Sequence, residues 1–156
     1  METRDDYFER QIAELRKWLA QIMKLRVDGH RDQAMVALIQ AQERLFGRPL
    51  SEFSSVPLDD QLSLLSVGMS PERARERHVG YALLLREAGI CYSQKDRDDL
   101  AGGAYKAALH ILLGAMIEIN GEDGALLDLI RSTLAATPVE QIDAPIVEML
   151  EAIASK

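Results

Sequence analysis

Cysteine and aromatic residues are scarce in this chain. Its 156 residues include one cysteine, Cys91, and only 5% are Phe, Trp or Tyr. A single cysteine cannot form a disulfide within the chain, so folding must rest on packing. The apolar residues, 47% of the total, are mainly Leu, Ala and Ile, which favour packed helices over a sheet with aromatic cross-strand pairs. The sequence therefore predicts one all-α domain spanning residues 1–156.

Positive charge is also in short supply. The chain has 18 Lys and Arg against 25 Asp and Glu, a net charge of -7. Nucleic acids and anionic membranes are bound mainly by basic faces, so neither is expected as a partner. The N-terminal METRDDYFERQ contains no apolar run of the kind that directs secretion, and we expect a cytoplasmic protein. The most apolar stretch, residues 100–117, contains Lys106, His110 and three glycines, which indicates a buried core helix rather than a membrane span.

Motifs for catalysis and cofactor binding are missing as well. His30, His78 and His110 lie far apart and lack the HExxH spacing of a zinc site. The chain contains no GxSxG nucleophile turn and no glycine-rich phosphate loop. Cys91 lies late in a predicted apolar helix, where no base or helix N-terminus would activate its thiol. We therefore interpret Cys91 as a core residue and expect no catalytic residue, no metal and no cofactor.

Hydrophobic periodicity and stop signals divide the chain into helices. From Phe8 to Ile22 an apolar residue recurs every three or four positions, which is typical of one buried helix face. Ser70 followed by Pro71 marks the start of the third long helix. The predicted helices cover residues 3–27, 32–46, 57–67, 70–95, 99–119, 125–136 and 144–154, with an irregular Ser- and Pro-rich connector at 48–57.

One predicted hairpin, over residues 79–113, carries a spaced set of small and aromatic residues. They are Gly89, Tyr92, Ala101, Tyr105 and Ala108. Small residues let two antiparallel helices approach closely, and aromatic rings one turn away fill the flanking gaps. The pattern resembles a tetratricopeptide (TPR) repeat. This resemblance implies TPR-like antiparallel helical hairpins, with the last two helices capping the open end of the stack.

A weaker copy of the same pattern lies near the N-terminus, at Trp18, Gly29, Ala34 and Ala41. Ala34 and Ala101 are 67 residues apart, close to two repeat lengths of about 34 residues each. The opening DDYFERQIAEL is also similar to the start of an uncharacterised bacterial family of TPR-like proteins, over about residues 5–119. That similarity implies a fold and carries no known activity.

The resemblance to TPR repeats also implies a binding surface, because the first helices of successive TPR hairpins line a groove that holds peptides. The matching partner-binding positions are Arg16, Leu19, Met23 and Arg26 in the first hairpin and Leu83, Arg86, Ile90 and Gln94 in the second. Arginines beside Leu and Met suit an acidic, partly apolar peptide from another protein or from a second copy of the chain. The alternative is that the C-terminal helices bury this stripe as core. We expect a non-catalytic module for protein interaction or self-assembly.

A second function class is a small enzyme or small-molecule binder. Its pocket would lie at the degenerate middle repeat between the two hairpins, where Phe53, Leu62, Tyr81 and Arg86 are expected to converge. Shape separates the two classes. A closed pocket of mixed polar and apolar lining favours the binder, and an open groove favours the interaction module.

Overall fold

Helices make up nearly the whole structure. The computed structural model describes residues 3–120 and 122–155, of which 82% are helical, and those ranges contain no strand. The predicted all-α class is confirmed. Four residues of the predicted domain over 1–156, namely 1, 2, 121 and 156, lie outside the described ranges. The helices are α1 (Arg4–Val27), α2 (Arg31–Phe46), α3 (Leu50–Phe53), α4 (Leu58–Ser66), α5 (Pro71–Gln94), α6 (Asp98–Glu118), α7 (Gly124–Ala136) and α8 (Ala144–Ala154), with a 3-10 turn at Val139–Gln141.

The ends of the long helices lie where local chemistry predicts them. Thr3 caps α1: its hydroxyl accepts a hydrogen bond from the Asp6 N–H, and the Asp6 carboxylate accepts one from the Thr3 N–H. The Ser70 hydroxyl caps α5 immediately before Pro71. Gly47 ends α2 with a φ of 67°, a left-handed conformation that glycine adopts without steric cost.

Two short elements were not predicted, namely α3 and the 3-10 turn. Residues 48–57 were expected to be irregular, but Leu50–Phe53 forms one helical turn. Phe53 is only 1% exposed, and its ring stacks on Phe46 with 4.0 Å between centroids. Tertiary packing therefore overrides the weak local preference of this segment.

Two helical hairpins stack directly on one another. α1 packs with α2 and α5 packs with α6. Between the hairpins, Leu15 contacts Gly80 and Arg26 contacts Glu87. These contacts follow the same order along both helices, so α1 and α5 run parallel. α2 also packs against α5, α3 and α4 lie beside them, and α7 and α8 pack on α6.

The hydrophobic core is centred on α6. Leu109, Leu112, Leu113 and Met116 of this helix have no exposed surface. Among the described residues, α6 is the one helix that is long and apolar enough to cross a membrane, judged by length and composition alone, and 56% of its apolar window is buried by the rest of the protein. That burial agrees with the prediction of a core helix at residues 100–117.

α5 and α6 are in close contact at the glycine and tyrosine that the hairpin pattern singled out. A Cβ built on Gly89 would lie 2.7–2.8 Å from three ring carbons of Tyr105. Ala101 and Ala108, on either side of that ring along α6, are buried. The position of the Tyr105 ring therefore depends on the absence of a side chain at Gly89.

This contact generates a test of the hairpin packing. We expect Gly89→Ala to lower the free energy of unfolding by about 1–2 kcal/mol, because the Tyr105 ring must move. Gly103→Ala is the control: no atom lies within 4 Å of a Cβ there, and the better helix propensity of Ala should raise the free energy by about 0.5–1 kcal/mol. Urea unfolding followed by circular dichroism measures both variants. Equal changes in the free energy of unfolding for the two variants would show that Gly89 is not tightly packed against Tyr105.

Candidate functional site

An open cleft of about 330 Å³ lies between α1, α5 and α7. Its apolar lining is Ile12, Leu15, Leu19, Val79, Gly80, Leu83, Ile119, Ala125, Leu126 and Leu129, and its charged lining is Arg16, Arg75, Glu76 and Asp123. We call these residues the front cleft. An apolar lining with a few charged groups at the edge is typical of a site for an apolar side chain or small ligand.

The front cleft exists because three helices run parallel along one side of the molecule. Gly80 has no side chain, which lets α1 approach α5. α7 runs in the same direction as α5: Arg75 of α5 pairs with Glu118, just before α7 begins, and Arg86 contacts Ser132 further along both helices. α5 therefore forms the floor of the cleft, and α1 and α7 form its sides.

Three of the eight predicted partner-binding residues, Arg16, Leu19 and Leu83, line the front cleft. Arg86 lies one turn beyond Leu83 on the same face of α5. Its Nη2 donates a hydrogen bond of 2.9 Å to the Ser132 hydroxyl. Arg86 and Ser132 thus close the end of the cleft by joining α5 to α7.

Three further predicted residues extend the same helix faces beyond the cleft. Met23 is 46% exposed, whereas Ile90 and Gln94 are partly buried. None of the eight predicted residues is fully buried. The C-terminal helices therefore leave the stripe open, with α7 as one side of the cleft rather than its cover.

Arg26, the remaining predicted residue, is held by Glu87 of α5. The Nε–Oε2 distance is 2.8 Å and the Nη2–Oε1 distance is 3.5 Å, and the two side chains are only 16% and 9% exposed. Arg26 therefore joins the two hairpins instead of offering its charge to a ligand. Cys91 lies nearby with no exposed surface; burial, and then the charge of Glu87, raises the pKa of its thiol. Its burial agrees with the predicted core role.

Charge is distributed unevenly around the front cleft. Arg16 is exposed and makes no ion pair or hydrogen bond with the described part of the chain. Arg86 has a hydroxyl partner but no carboxylate partner there, and its Nε is buried without a partner. Glu76 and Asp123 line the opposite end, and the third arginine of the lining, Arg75, is paired there with Glu118, with 3.7 Å between its Nη1 and Oε2. The cleft therefore offers two arginines without carboxylate partners beside its apolar lining, and two carboxylates at the end where α7 begins.

A second cavity, of about 350 Å³, lies on the opposite face of α5; it is open to solvent and is lined by residues from α2 to α6. We call it the rear cavity. Its lining is Gln42, Leu50, Phe53, Ser54, Leu58, Gln61, Tyr81, Leu85, Ala88, Tyr92, Asp99, Leu100, Gly103, Ala104 and Ala107. Phe53 and Tyr81 therefore meet as the small-molecule hypothesis predicted.

The same hypothesis is wrong about its other two residues. Leu62 lines a separate pocket of about 130 Å³ beside His78, and Arg86 faces α7 at the front cleft. Tyr81 and Arg86 are five residues apart on one helix, so a rotation of about 140° separates their side chains. The hairpins also leave no gap for a missing repeat, because both α1 and α2 pack directly on α5.

A hydrogen-bonded tyrosine and glutamine form one side of the rear cavity. The Tyr81 hydroxyl donates to Gln61 Oε1 at 2.7 Å. Gln61 Nε2 in turn donates to the carbonyls of Phe53, at 3.0 Å, and Val56, at 2.8 Å. The Phe46 ring packs edge-on against Tyr81, and burial raises the pKa of Tyr81 to about 12. This network fixes α3 and α4 against α5.

The histidines occupy separate surroundings. His78 Nε2 lies 2.9 Å from the carbonyl oxygen of Leu62, and His110 Nε2 lies 3.7 Å from Asp59 Oδ1. His30 is exposed immediately before α2. Within residues 3–120 and 122–155, no group of three or more His, Cys, Asp or Glu is placed to hold a metal ion.

Sequence reasoning missed the α7 side of the front cleft. Leu126 and Leu129 were recognised only as the apolar face of a capping helix. Gly80 was missed as well, although a glycine inside a predicted helix is a signal of close approach by a neighbouring element. That signal could have indicated that α1 packs against α5 at this position.

The ion pair between Arg26 and Glu87 generates a stability prediction. We expect Glu87→Gln to lower the free energy of unfolding by about 3 kcal/mol, because it leaves a mostly buried guanidinium without its counter-charge. The double variant Arg26→Met with Glu87→Leu removes both charges and should recover most of that loss. Chemical unfolding of both variants checks the prediction. A double variant as unstable as the single one would mean that packing, not charge, dominates this contact.

Tyr81 generates a prediction about pH. Folding raises its pKa from 10.0 to about 12, so its contribution to stability is complete below pH 10 and is lost as the pH rises towards 12. From pH 9 to about pH 11.5 the parent should lose about 1–2 kcal/mol relative to Tyr81→Phe. Tyr7, which is 52% exposed, provides the control, since Tyr7→Phe should follow the parent. Parallel pH dependence of all three proteins would contradict the assignment.

Comparison with known proteins adds no family assignment. No protein-family model matches the chain, and neither a curated protein nor a solved structure matches it significantly. The resemblance to TPR repeats and to the bacterial TPR-like family therefore remains a prediction from the residues that carry the pattern.

Proposed function

We propose that the protein is a non-catalytic interaction module that holds an acidic, partly apolar peptide segment of another protein in the front cleft. The observation that carries this proposal is the open apolar lining between α1, α5 and α7, with Arg16 and Arg86 beside it. The net charge of -7 favours a protein partner over nucleic acid or an anionic membrane. The proposal also keeps the cytoplasmic location expected from the sequence.

A TPR-like stack is the architecture that we infer for this module. In such stacks the first helices of successive hairpins are parallel and line the concave side. Here α1 and α5 are parallel, α2 packs on α5, and α7 continues the series on the far side of the cleft. The close contact of Gly89 with Tyr105, two residues of the TPR-like pattern, supports this inference. α7 and α8 then act as the capping helices of the stack.

The chemistry of the cleft limits its occupant. A volume of about 330 Å³ accommodates one or two large apolar side chains at the interior packing density of proteins. Arg86 can present its guanidinium to a carboxylate at the Ser132 end, and Arg16 can do so from the α1 side. Glu76 and Asp123 disfavour acidic residues at the other end. The preferred segment therefore has apolar residues in its middle and acidic residues towards the Arg86 end.

A charge-reversal experiment tests this function. Peptides of one apolar sequence with acidic, neutral or basic flanks are titrated against the protein by fluorescence anisotropy. The acidic series should bind best, and Arg16→Glu combined with Arg86→Glu should weaken its binding at least tenfold, or about 1.4 kcal/mol. The control, Arg48→Glu with Arg131→Glu, makes the same change in net charge at exposed residues that do not line the cleft and should bind as the parent does.

Two outcomes would count against the proposal. Equal weakening by both double variants would mean that total charge, rather than the cleft, controls binding. No preference among the three flanking charges would mean that Arg16 and Arg86 do not contact the ligand. Sedimentation at several protein concentrations distinguishes a second copy of the chain as the occupant, because the cleft variant would then be more monomeric than its control.

A further inference from the structure

We propose that a cleft near the N-terminal ends of α1 and α5 binds a small organic acid, with a negative charge at one end, an aromatic body and a hydroxyl group at the other end. The cleft has a volume of about 560 Å³ and is lined by residues of 4–11 on α1 and of 67–73, where the chain passes from α4 into α5. We call it the N-terminal cleft. None of the described residues lines both this cleft and the front cleft, so the proposal does not depend on the peptide-binding function.

The amide of Gln11 is the first observation that points to a ligand. Gln11 lines the N-terminal cleft, and its Oε1 is buried without a hydrogen-bond partner in the described part of the chain. Buried acceptors of this kind are unfavourable, and folded proteins rarely keep them unpaired. The last torsion of a glutamine side chain is soft, so the oxygen can turn towards the cleft. A hydroxyl group of a ligand would donate the missing hydrogen bond.

The guanidinium of Arg4 is the second observation. Arg4 has no ion-pair or hydrogen-bond partner in the described part of the chain. Its Nη2 lies 3.7 Å from a Cβ built on Gly68, which places its charge beside the loop that leads into α5. The other two charged residues of the described lining, Asp5 and Arg73, form an ion pair with each other. The cleft therefore holds one uncompensated positive charge in a protein of net charge -7, which favours an anionic ligand.

The residues between these two polar groups set the body of the ligand. Arg4 and Gln11 are seven residues apart on α1, which is two helical turns or about 10 Å. Tyr7 lies between them, and Val67 and Met69 line the other side of the cleft. Tyr7 is 52% exposed and Val67 is 77% exposed, so a ligand with an apolar body would cover apolar surface there. An aromatic ring also packs favourably against tyrosine and against the sulfur of methionine.

A matched set of three probes tests each group of the ligand. The probe with all three groups is para-hydroxyphenylacetate; phenylacetate lacks the hydroxyl group, and para-hydroxyphenylethanol lacks the charge. Each is titrated against the full chain and followed by ligand-observed NMR. We expect saturable binding of para-hydroxyphenylacetate with a Kd below about 1 mM. Each of the other two probes should bind at least about fivefold more weakly, because it leaves Gln11 or Arg4 without a partner.

Two variants assign these contacts to residues. Gln11→Met should weaken the binding of para-hydroxyphenylacetate at least about fivefold and leave that of phenylacetate unchanged, since only the hydroxyl group contacts the amide. Arg4→Gln should weaken the binding of both acids but not that of the alcohol. The matched controls, Gln21→Met and Arg48→Gln, change exposed residues that do not line the cleft. Both controls should bind all three probes as the parent does.

Unfolding without ligand separates binding from folding. Gln11→Met should unfold at a higher temperature than the parent, because it removes an unpaired buried oxygen. Gln21→Met should lack this gain, since Gln21 is exposed. A lower unfolding temperature for Gln11→Met would make the amide part of the folded framework and overturn the proposal.

Four binding results would also overturn it. One is the absence of saturable binding of para-hydroxyphenylacetate up to about 10 mM. Another is equal affinity of this acid and of the alcohol for the parent. A third is equal affinity of the acid for the parent and for Gln11→Met. The last is weaker binding of the acid by the front-cleft variant, Arg16→Glu with Arg86→Glu, which would place the probe in the front cleft instead.

Discussion

The contact between α1 and α5 is the constraint on which the rest of the structure depends. Leu15 packs onto Gly80 near the middle of both helices, and Arg26 is held by Glu87 towards their C-terminal ends. The Leu15–Gly80 contact requires the two helices to approach closely. The Arg26–Glu87 pair fixes the register of α1 along α5, because a charged pair this buried tolerates little displacement. Together they hold the two hairpins directly against each other. The parallel direction of α1 and α5, and hence the floor and one side of the front cleft, follow from them.

α5 serves a different neighbour on each of its faces. Gly80 faces α1 and Gly89 faces the ring of Tyr105 on α6. A third face bears Leu83 and Arg86 at the front cleft, and a fourth bears Tyr81 in the rear cavity. The two glycines let α1 and α6 approach α5 closely. The front cleft and the rear cavity are the spaces left between these close contacts. The two candidate sites therefore result from the way in which the neighbouring helices pack around α5.

Local signals in the sequence were enough to predict the helices but not all of their partners. The Ser70 cap and the closure of α2 at Gly47 are properties of a few adjacent residues, and the structure has both. The pattern of small and aromatic residues also predicted that α5 and α6 approach closely, and Gly89 and Tyr105 of that pattern are in contact. The pairing of Arg26 with Glu87 joins residues 61 positions apart and depends on a register that no local pattern encodes. The α7 side of the cleft was missed for the same reason. Apolar periodicity predicts which face of a helix is buried, but it does not predict which element packs against that face.

The net charge of -7 constrains how an acidic ligand could be recognised. At long range the protein repels such a ligand, and beyond about 10 Å this repulsion is screened at moderate salt. In the proposed complex, Arg16 and Arg86 would attract it at short range, where Arg86 is partly desolvated. Salt should therefore speed association by weakening the repulsion and speed dissociation by weakening the ion pairs. Selectivity for acidic segments would then reside mainly in the dissociation rate. This is expected where short-range contacts in a partly buried site outweigh the repulsion from the net charge of the protein.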